Sequence, residues 1–133
     1  MMRFHIYLFQ KKPEALYQQA MDEYLKRLHT YANVSVHYIK NEKQARKILK
    51  KEEKNYLVTA GEKSMTSLKF SKMIEDASVQ GDSSLNFYIG KFEEDMEKFY
   101  VSSFSLNLSL TGVVLLEQIY RAYRILNNQP YHK

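Results

Sequence analysis

The chain has 133 residues, of which 44% are hydrophobic and 26% charged, as expected for one globular domain. It has no cysteine, which excludes disulfide frameworks, thiolate metal sites and cysteine nucleophiles. Its longest apolar runs, residues 6–9 and 113–116, are far shorter than the roughly 20 residues of a membrane span. Because the start also lacks signal-peptide features, we expect a single cytoplasmic domain over residues 1–133, with no membrane segment.

Short apolar and β-branched runs alternate with segments of helical periodicity along the chain. Strands are predicted over residues 3–9, 33–39, 55–60, 85–89 and 103–110. Helices are predicted over residues 13–29, 41–54, 68–77, 92–100 and 113–126, with Ser67 as the N-cap of the third. This alternation predicts an α/β domain with a mostly parallel sheet of about five strands and right-handed crossovers.

Basic residues outnumber acidic ones, 20 to 15, which gives a formal net charge of +5. Their densest run is the predicted helix over residues 41–54. That helix has two interpretations: a solvated surface face, or a contact with the phosphate backbone of an RNA. The charge alone does not decide between them.

The last predicted helix, residues 113–126, is apolar at most positions, and its polar residues Glu117, Arg121 and Arg124 form one narrow stripe. A helix with so little polar surface must be covered on more than one side. We therefore predict a homodimer through helix 113–126. The alternative is a central helix enclosed within one subunit.

Several common sites are absent from the sequence. The four glycines (Gly61, Gly81, Gly90 and Gly112) are too widely spaced for a Rossmann fingerprint or a phosphate loop. The four histidines show no paired metal-ligand spacing, so no metal site is expected. What remains is a ligand site at the carboxyl ends of parallel strands, predicted at residues 58–59, 89–90 and 107–110.

The carboxyl-terminal segment carries a family resemblance. Residues 113–124 read VVLLEQIYRAYR and the chain ends PYHK, which closely resembles the end of the RlmH family. These SPOUT-class enzymes methylate a pseudouridine of large-subunit ribosomal RNA with S-adenosylmethionine. Residues 21–28 look like the family's first helix, and residues 88–90 look like its IGG strand end. The likeness covers nearly the whole chain, apart from a deletion around residues 41–44.

This resemblance implies a SPOUT-type α/β knot, a deep trefoil, and a homodimer whose interface includes the last helix. It also implies that S-adenosylmethionine binds in the knot against three loops. By motif position, these loops contain Val58, Thr59, Gly90, Leu106, Asn107, Leu108, Ser109 and Leu110. For the three leucines, the alternative interpretation is plain strand core, and the two roles are compatible.

The resemblance also assigns the chemistry. Methylation of a ring nitrogen requires loss of its proton, and His132 is the expected base because histidine changes charge near neutral pH. Tyr131 is expected to stack on or orient the target base, and Arg121, Arg124 and Lys133 to bind RNA. The alternatives are a frayed terminal tail and two arginines that only pair with Glu117.

The chain departs from the family pattern at two places. Lys91 stands where the family usually has a second glycine, and Thr111-Gly112 replaces a longer Pro-His-containing loop. Three functions therefore stay open. The first is a 23S rRNA pseudouridine N(3)-methyltransferase that acts on ribosomal RNA or the ribosome. The others are a methyltransferase for a different RNA, and a catalytically impaired RNA- or cofactor-binding dimer.

Overall fold

The computed structural model describes residues 1–50 and 52–131. Its strands are β1 Arg3–Leu8, β2 Asn33–Tyr38, β3 Lys54–Ala60, β4 Ser84–Ile89 and β5 Glu97–Ser102. Its helices are α1 Ala15–Leu28, α2 Glu42–Ile48, α3 Ser67–Val79 and α4 Leu108–Leu126. The predicted α/β class is confirmed, although the elements after β4 differ from the prediction.

The five strands form one parallel sheet in the order β2-β1-β4-β3-β5, which confirms the predicted sheet. Strand β4 is central and all six of its residues are buried, as expected for a strand covered on both faces. Val58 of β3 pairs with Ile89 of β4 and with Phe99 of β5. The carboxyl ends of these three strands therefore meet at the same edge of the sheet.

One face of the sheet carries the main core, against which α1, α3 and α4 pack. Phe4, Ile6 and Leu8 point into it, while His5 and Tyr7 alternate to the opposite face. Helix α4 packs on the sheet and contacts both α1 and α3. The sheet, α1 and α3 thus cover part of the apolar surface of α4, which was the basis for predicting a homodimer.

The opposite face has a smaller core around α2. Ala45 of this helix packs with Ile39, Tyr88 and Phe92. Asn41 caps α2 by accepting a hydrogen bond from the amide of Gln44 at 2.9 Å. The helix ends at residue 48, where the next residue takes an extended conformation. The predicted helix over residues 41–54 is therefore wrong at the described residues 49–50 and 52–54.

The predicted helix over residues 92–100 is wrong. Most of this segment is a loop that leads into β5 at residues 97–102. Phe99 is buried, with its ring centroid 5.0 Å from that of Phe70 and 5.5 Å from that of Phe87. Pairing with β3 and this aromatic packing outweigh the local helical periodicity.

The predicted strand over residues 103–110 is also wrong. Residues 103–107 form a loop, and α4 begins at Leu108 rather than at Val113. Asn107 decides the boundary, because its side chain accepts a hydrogen bond from the amide of Leu110 at 2.8 Å. The predicted N-cap of the third helix is also wrong by one residue: Ser67 is the first residue of α3, and Thr66 is its N-cap.

Candidate active site at the carboxyl ends of β3, β4 and β5

A cleft of about 140 Å³ lies where β3, β4 and β5 end. Its walls come from these strand ends, from the loop after β5 and from the first turn of α4. The lining residues are Val58, Thr59, Ala60, Ile89, Gly90, Val101, Phe104, Ser105, Leu106, Leu108 and Thr111. None of these described lining residues is charged, so the cleft offers a phosphate group no cationic side chain and suits an uncharged part of a ligand.

Gly90 forms one wall of the cleft with a backbone that other residues rarely adopt. Its φ angle is +121°, and a Cβ atom built on it would lie 2.8 Å from Cβ of Phe9. The amide of Phe9 also donates a hydrogen bond to the carbonyl of Ile89 at 2.9 Å. The chain therefore needs glycine here, both for its φ angle and to leave room for Phe9.

The opposite wall is positioned by the hydrogen bonds around Asn107. Besides capping α4, Asn107 donates through Nδ2 to the hydroxyl of Tyr17 at 3.2 Å. Its carbonyl accepts a hydrogen bond from the hydroxyl of Thr111 at 2.8 Å. These contacts link the loop, α1 and the first turn of α4, and so fix where Leu106 and Leu108 stand.

Five of the eight predicted cofactor residues line the cleft: Val58, Thr59, Gly90, Leu106 and Leu108. Asn107, Ser109 and Leu110 lie beside it without lining it. Ser109 accepts a hydrogen bond from Nε2 of Gln10 at 2.9 Å, and Leu110 lies within the first turn of α4. The role of the first five in binding a cofactor remains a prediction.

Sequence reasoning missed five lining residues: Ala60, Val101, Phe104, Ser105 and Thr111. Val101 and Thr111 fell between predicted elements, because the segment of β5 was predicted as a helix that ends at residue 100 and α4 was predicted to start at residue 113. Phe104 is 77% exposed, which is unusual for a phenylalanine. One signal in the sequence could have found these residues. Asn107 is a good N-cap residue, and a helix that begins after it would have identified residues 103–107 as a loop next to the strand ends.

The end of the chain returns to α4. The hydroxyl of Tyr131 lies 3.4 Å from Oε2 of Glu117, and its ring packs edge-on against Tyr120 with centroids 5.0 Å apart. Burial is the main cause that raises the pKa of Tyr131 to about 12, so its phenol is neutral at physiological pH. Within the chain, Tyr131 does not line the cleft.

The two predicted RNA-binding arginines of α4 make different contacts. Nε of Arg121 lies 3.0 Å from Oε2 of Glu117, and its guanidinium carbon is 5.4 Å from the ring centroid of Tyr131. Arg124 donates instead to the hydroxyl of Tyr31 at 3.5 Å and to the carbonyl of Pro130 at 3.4 Å. Pairing with Glu117 therefore applies to Arg121. The predicted base His132 and the predicted RNA contact Lys133 lie outside the described residues.

The described residues also bear on metal binding and membrane insertion. Among residues 1–50 and 52–131, no three His, Asp or Glu side chains are grouped so that they could hold a metal ion. In the same part of the chain, no helix is long and apolar enough to span a membrane.

Comparison with known proteins decides the family. A family model described as "Predicted SPOUT methyltransferase" matches residues 2–132, nearly the whole chain. The chain belongs to the SPOUT methyltransferase family. The all-parallel α/β sheet and the position of the cleft are consistent with this assignment.

Proteins similar to this chain are named ribosomal RNA large subunit methyltransferases. Ribosomal RNA large subunit methyltransferase H 1 of a Thermoanaerobacter species is 34% identical over 134 residues, covering 99% of this chain and 100% of that protein. Methyltransferase H 1 of Clostridium perfringens is 34% identical over 150 residues, covering 92% and 94%. The Clostridium acetobutylicum protein is 33% identical over 150 residues with the same coverage. Each of these relatives is similar to the chain along nearly its full length, which confirms the resemblance seen in the carboxyl-terminal motif.

Proposed function

We propose that the protein transfers a methyl group from S-adenosylmethionine to large-subunit ribosomal RNA, at N3 of a pseudouridine. The observation that carries this proposal is the uncharged cleft at Gly90, in a chain whose relatives are named ribosomal RNA large subunit methyltransferases. A ribosomal substrate implies a cytoplasmic location and fits the net charge of +5.

The residues of the cleft fit an adenosyl group. Val58, Leu106 and Leu108 offer apolar surfaces on which a purine ring can pack. Gly90 lines the cleft as well, and the hydroxyls of Thr59 and Thr111 can hydrogen-bond to polar edges. When bound, S-adenosylmethionine would supply an electrophilic methyl group for the target nitrogen.

The residues of this chain would have two tasks in the reaction. One is to hold the target nitrogen about 3–3.5 Å from the methyl carbon and in line with the departing sulfur. The other is to accept the proton of that nitrogen, for which we propose His132. Tyr131 has a pKa of about 12, so we assign it stacking or hydrogen bonding to the base, and not proton abstraction.

We also propose a homodimer through α4 and the adjoining surface of α1. Arg27 lies 5.7 Å from the ring centroid of Tyr24 and 5.9 Å from that of Tyr120, which makes a half-exposed arginine–tyrosine surface. Tyrosine and arginine are enriched in the centres of protein interfaces. In a two-fold dimer, the tail containing Tyr131 would complete the cleft of the second copy. A strict monomer at micromolar concentration in sedimentation would contradict this arrangement.

The path of the chain supports the trefoil knot that the resemblance implies. Strand β5 is at the edge of the sheet, yet the next helix, α4, returns to pack on β1 and β4. We therefore propose that the segment leading into α4 threads through the loop formed by earlier residues. An experimental trace of residues 61–66 and 90–107 that runs unthreaded would contradict this.

The decisive experiment has two steps. In calorimetric titration, the protein should bind S-adenosylmethionine. The Leu106→Glu variant should not bind it, because the substitution places a charge in the cleft. Val79→Glu is the matched control, because Val79 is 82% exposed at the end of α3. Methyl transfer from labelled S-adenosylmethionine to ribosomes lacking the modification should then be lost in His132→Ala and kept in His29→Ala. Absence of binding at millimolar ligand would contradict the proposed enzyme.

A further inference from the structure

The face of the sheet opposite α1, α3 and α4 is only partly covered. Helix α2 has seven residues and packs over Ile39, Tyr88 and Phe92. Beside it, four side chains of β1 and β2 remain accessible, with His37 exposed and the others half-exposed. This surface, the open face, consists of His5, Tyr7, Ser35 and His37.

A row of rings crosses the sheet and ends at the open face. Tyr88 of β4 stacks with Tyr7 of β1 at a centroid distance of 5.0 Å and an interplanar angle of 17°. Tyr7 in turn stacks with His37 of β2 at 4.9 Å and 21°. Since β2 is an edge strand and His37 is exposed, the row ends in a ring that solvent reaches.

The ring of His37 is held in place by hydrogen bonds. Oγ of Ser35 lies 3.0 Å from Nε2 of His37 and 3.0 Å from Nδ1 of His5. Burial lowers the pKa of both histidines below the ordinary 6.5, and for His5 the neighbouring His37 adds to this effect. At neutral pH both rings are therefore uncharged, planar and oriented before any ligand arrives.

A depression of about 560 Å³ separates the exposed end of this row from α2. Its lining residues are Tyr7, Val36, His37, Tyr38, Ile39, Gln44, Lys47 and Ile48. None of these described residues is acidic. Lys43 and Lys50 are exposed beside it and add positive charge, while Arg46 pairs with Glu42 at 3.9 Å. The half-buried Glu53 is the carboxylate that acts electrostatically on both His5 and Tyr7, and the lysines outnumber it.

We propose that the open face binds a single-stranded segment of RNA, with one base stacked on His37 and the adjoining phosphates beside Lys43, Lys47 and Lys50. Stacking on an exposed ring requires an unpaired base, which a duplex does not offer, and lysines complement the phosphate backbone. A second copy of the chain is disfavoured, because two such lysine-rich surfaces would repel each other. The inference rests on the proposed RNA substrate, and it adds a contact surface separate from the methyl-transfer cleft.

The test uses a fluorescein-labelled single-stranded RNA of mixed sequence and the matching duplex, with binding followed by anisotropy in the absence of S-adenosylmethionine. His37→Ala should weaken binding of the single strand by about fivefold to a hundredfold, as loss of one stacked base does. His37→Phe should restore most of the affinity, because it keeps an aromatic ring. Lys47→Gln should remove about one phosphate contact, so the slope of the logarithm of the binding constant against the logarithm of the salt concentration should fall by about one.

Controls separate this proposal from its alternatives. Lys12→Gln and Lys69→Gln change exposed residues outside the open face and should bind as the unmodified protein does. An equal affinity for His37→Ala and the unmodified protein, or a preference for the duplex, would overturn the proposal. So would a change of sedimentation in His37→Ala without a change in RNA binding, which would indicate a second copy on this face. If the unmodified protein binds the RNA as expected but transfers no methyl group to ribosomes, only the proposed function is contradicted.

Discussion

The hydroxyl of Tyr131 lies 3.4 Å from Oε2 of Glu117, and the same oxygen accepts a hydrogen bond from Nε of Arg121 at 3.0 Å. One carboxylate thus links the end of the chain to the middle of α4. The side chains of Glu117 and Arg121 are 18% and 27% exposed, so their ion pair is better shielded from water than a surface pair.

Glu117→Gln should destabilise the protein by weakening this pair and the contact with Tyr131. We expect the free energy of unfolding to fall by about 1 kcal/mol, measured by urea denaturation. The control is Glu23→Gln, whose pair with Arg27 spans 3.7 Å with side chains 61% and 45% exposed. That substitution should have little effect, and equal losses in the two variants would contradict the stabilising role of Glu117.

Gly90→Ala should cost about 1–3 kcal/mol of stability, since alanine is strained at this φ angle. The new Cβ would also lie 2.8 Å from Cβ of Phe9, and the cleft wall would shift. We therefore expect weaker binding of S-adenosylmethionine, measured by calorimetry. Gly81→Ala is the matched control, because its φ angle is +84° and nothing lies within 4 Å of a Cβ there. Reduced cofactor affinity in both variants would mean that general destabilisation, and not the cleft wall, is responsible.

Asn107→Ala should remove the N-cap of α4 and lower the free energy of unfolding by about 1 kcal/mol. The side chain of Asn107 also holds Tyr17, so the wall containing Leu106 and Leu108 should loosen and cofactor affinity should fall. Asn107→Ser keeps a capping oxygen and should recover most of the stability in urea denaturation. If serine and alanine are equally destabilising, capping is not the reason for the loss.

Stability should decrease at alkaline pH. Burial raises the pKa of Tyr123 from 10.0 to about 12, and it also raises the pKa of Tyr88. Between pH 10 and pH 12 the unfolded chain has lost these protons while the folded chain keeps them, so the free energy of unfolding falls as pH rises. Urea denaturation at several pH values should show this decline, and Tyr123→Phe should make it shallower. Parallel curves for the two proteins would contradict the shift at Tyr123.

The sequence by itself determined the α/β class, the parallel sheet and the position of part of the cleft. Strands such as β4 are buried throughout, and their apolar runs are bounded by turn residues, so their identity is a local property. Gly90 at the end of β4 was recognisable in the same way. The carboxyl-terminal motif was specific enough to indicate the family, because it consists of contiguous residues.

Tertiary structure decided the identity of the elements after β4. The local spacing in residues 92–110 predicts a helix over residues 92–100 and a strand over residues 103–110, and neither of them forms. The choice is made by partners distant in sequence. Phe99 becomes part of a strand because it pairs with β3 and packs on Phe70, and Tyr17 of α1 contacts Asn107, the N-cap of α4. The row of rings that ends at His37 has the same origin, since its members come from three strands that only the folded sheet brings side by side.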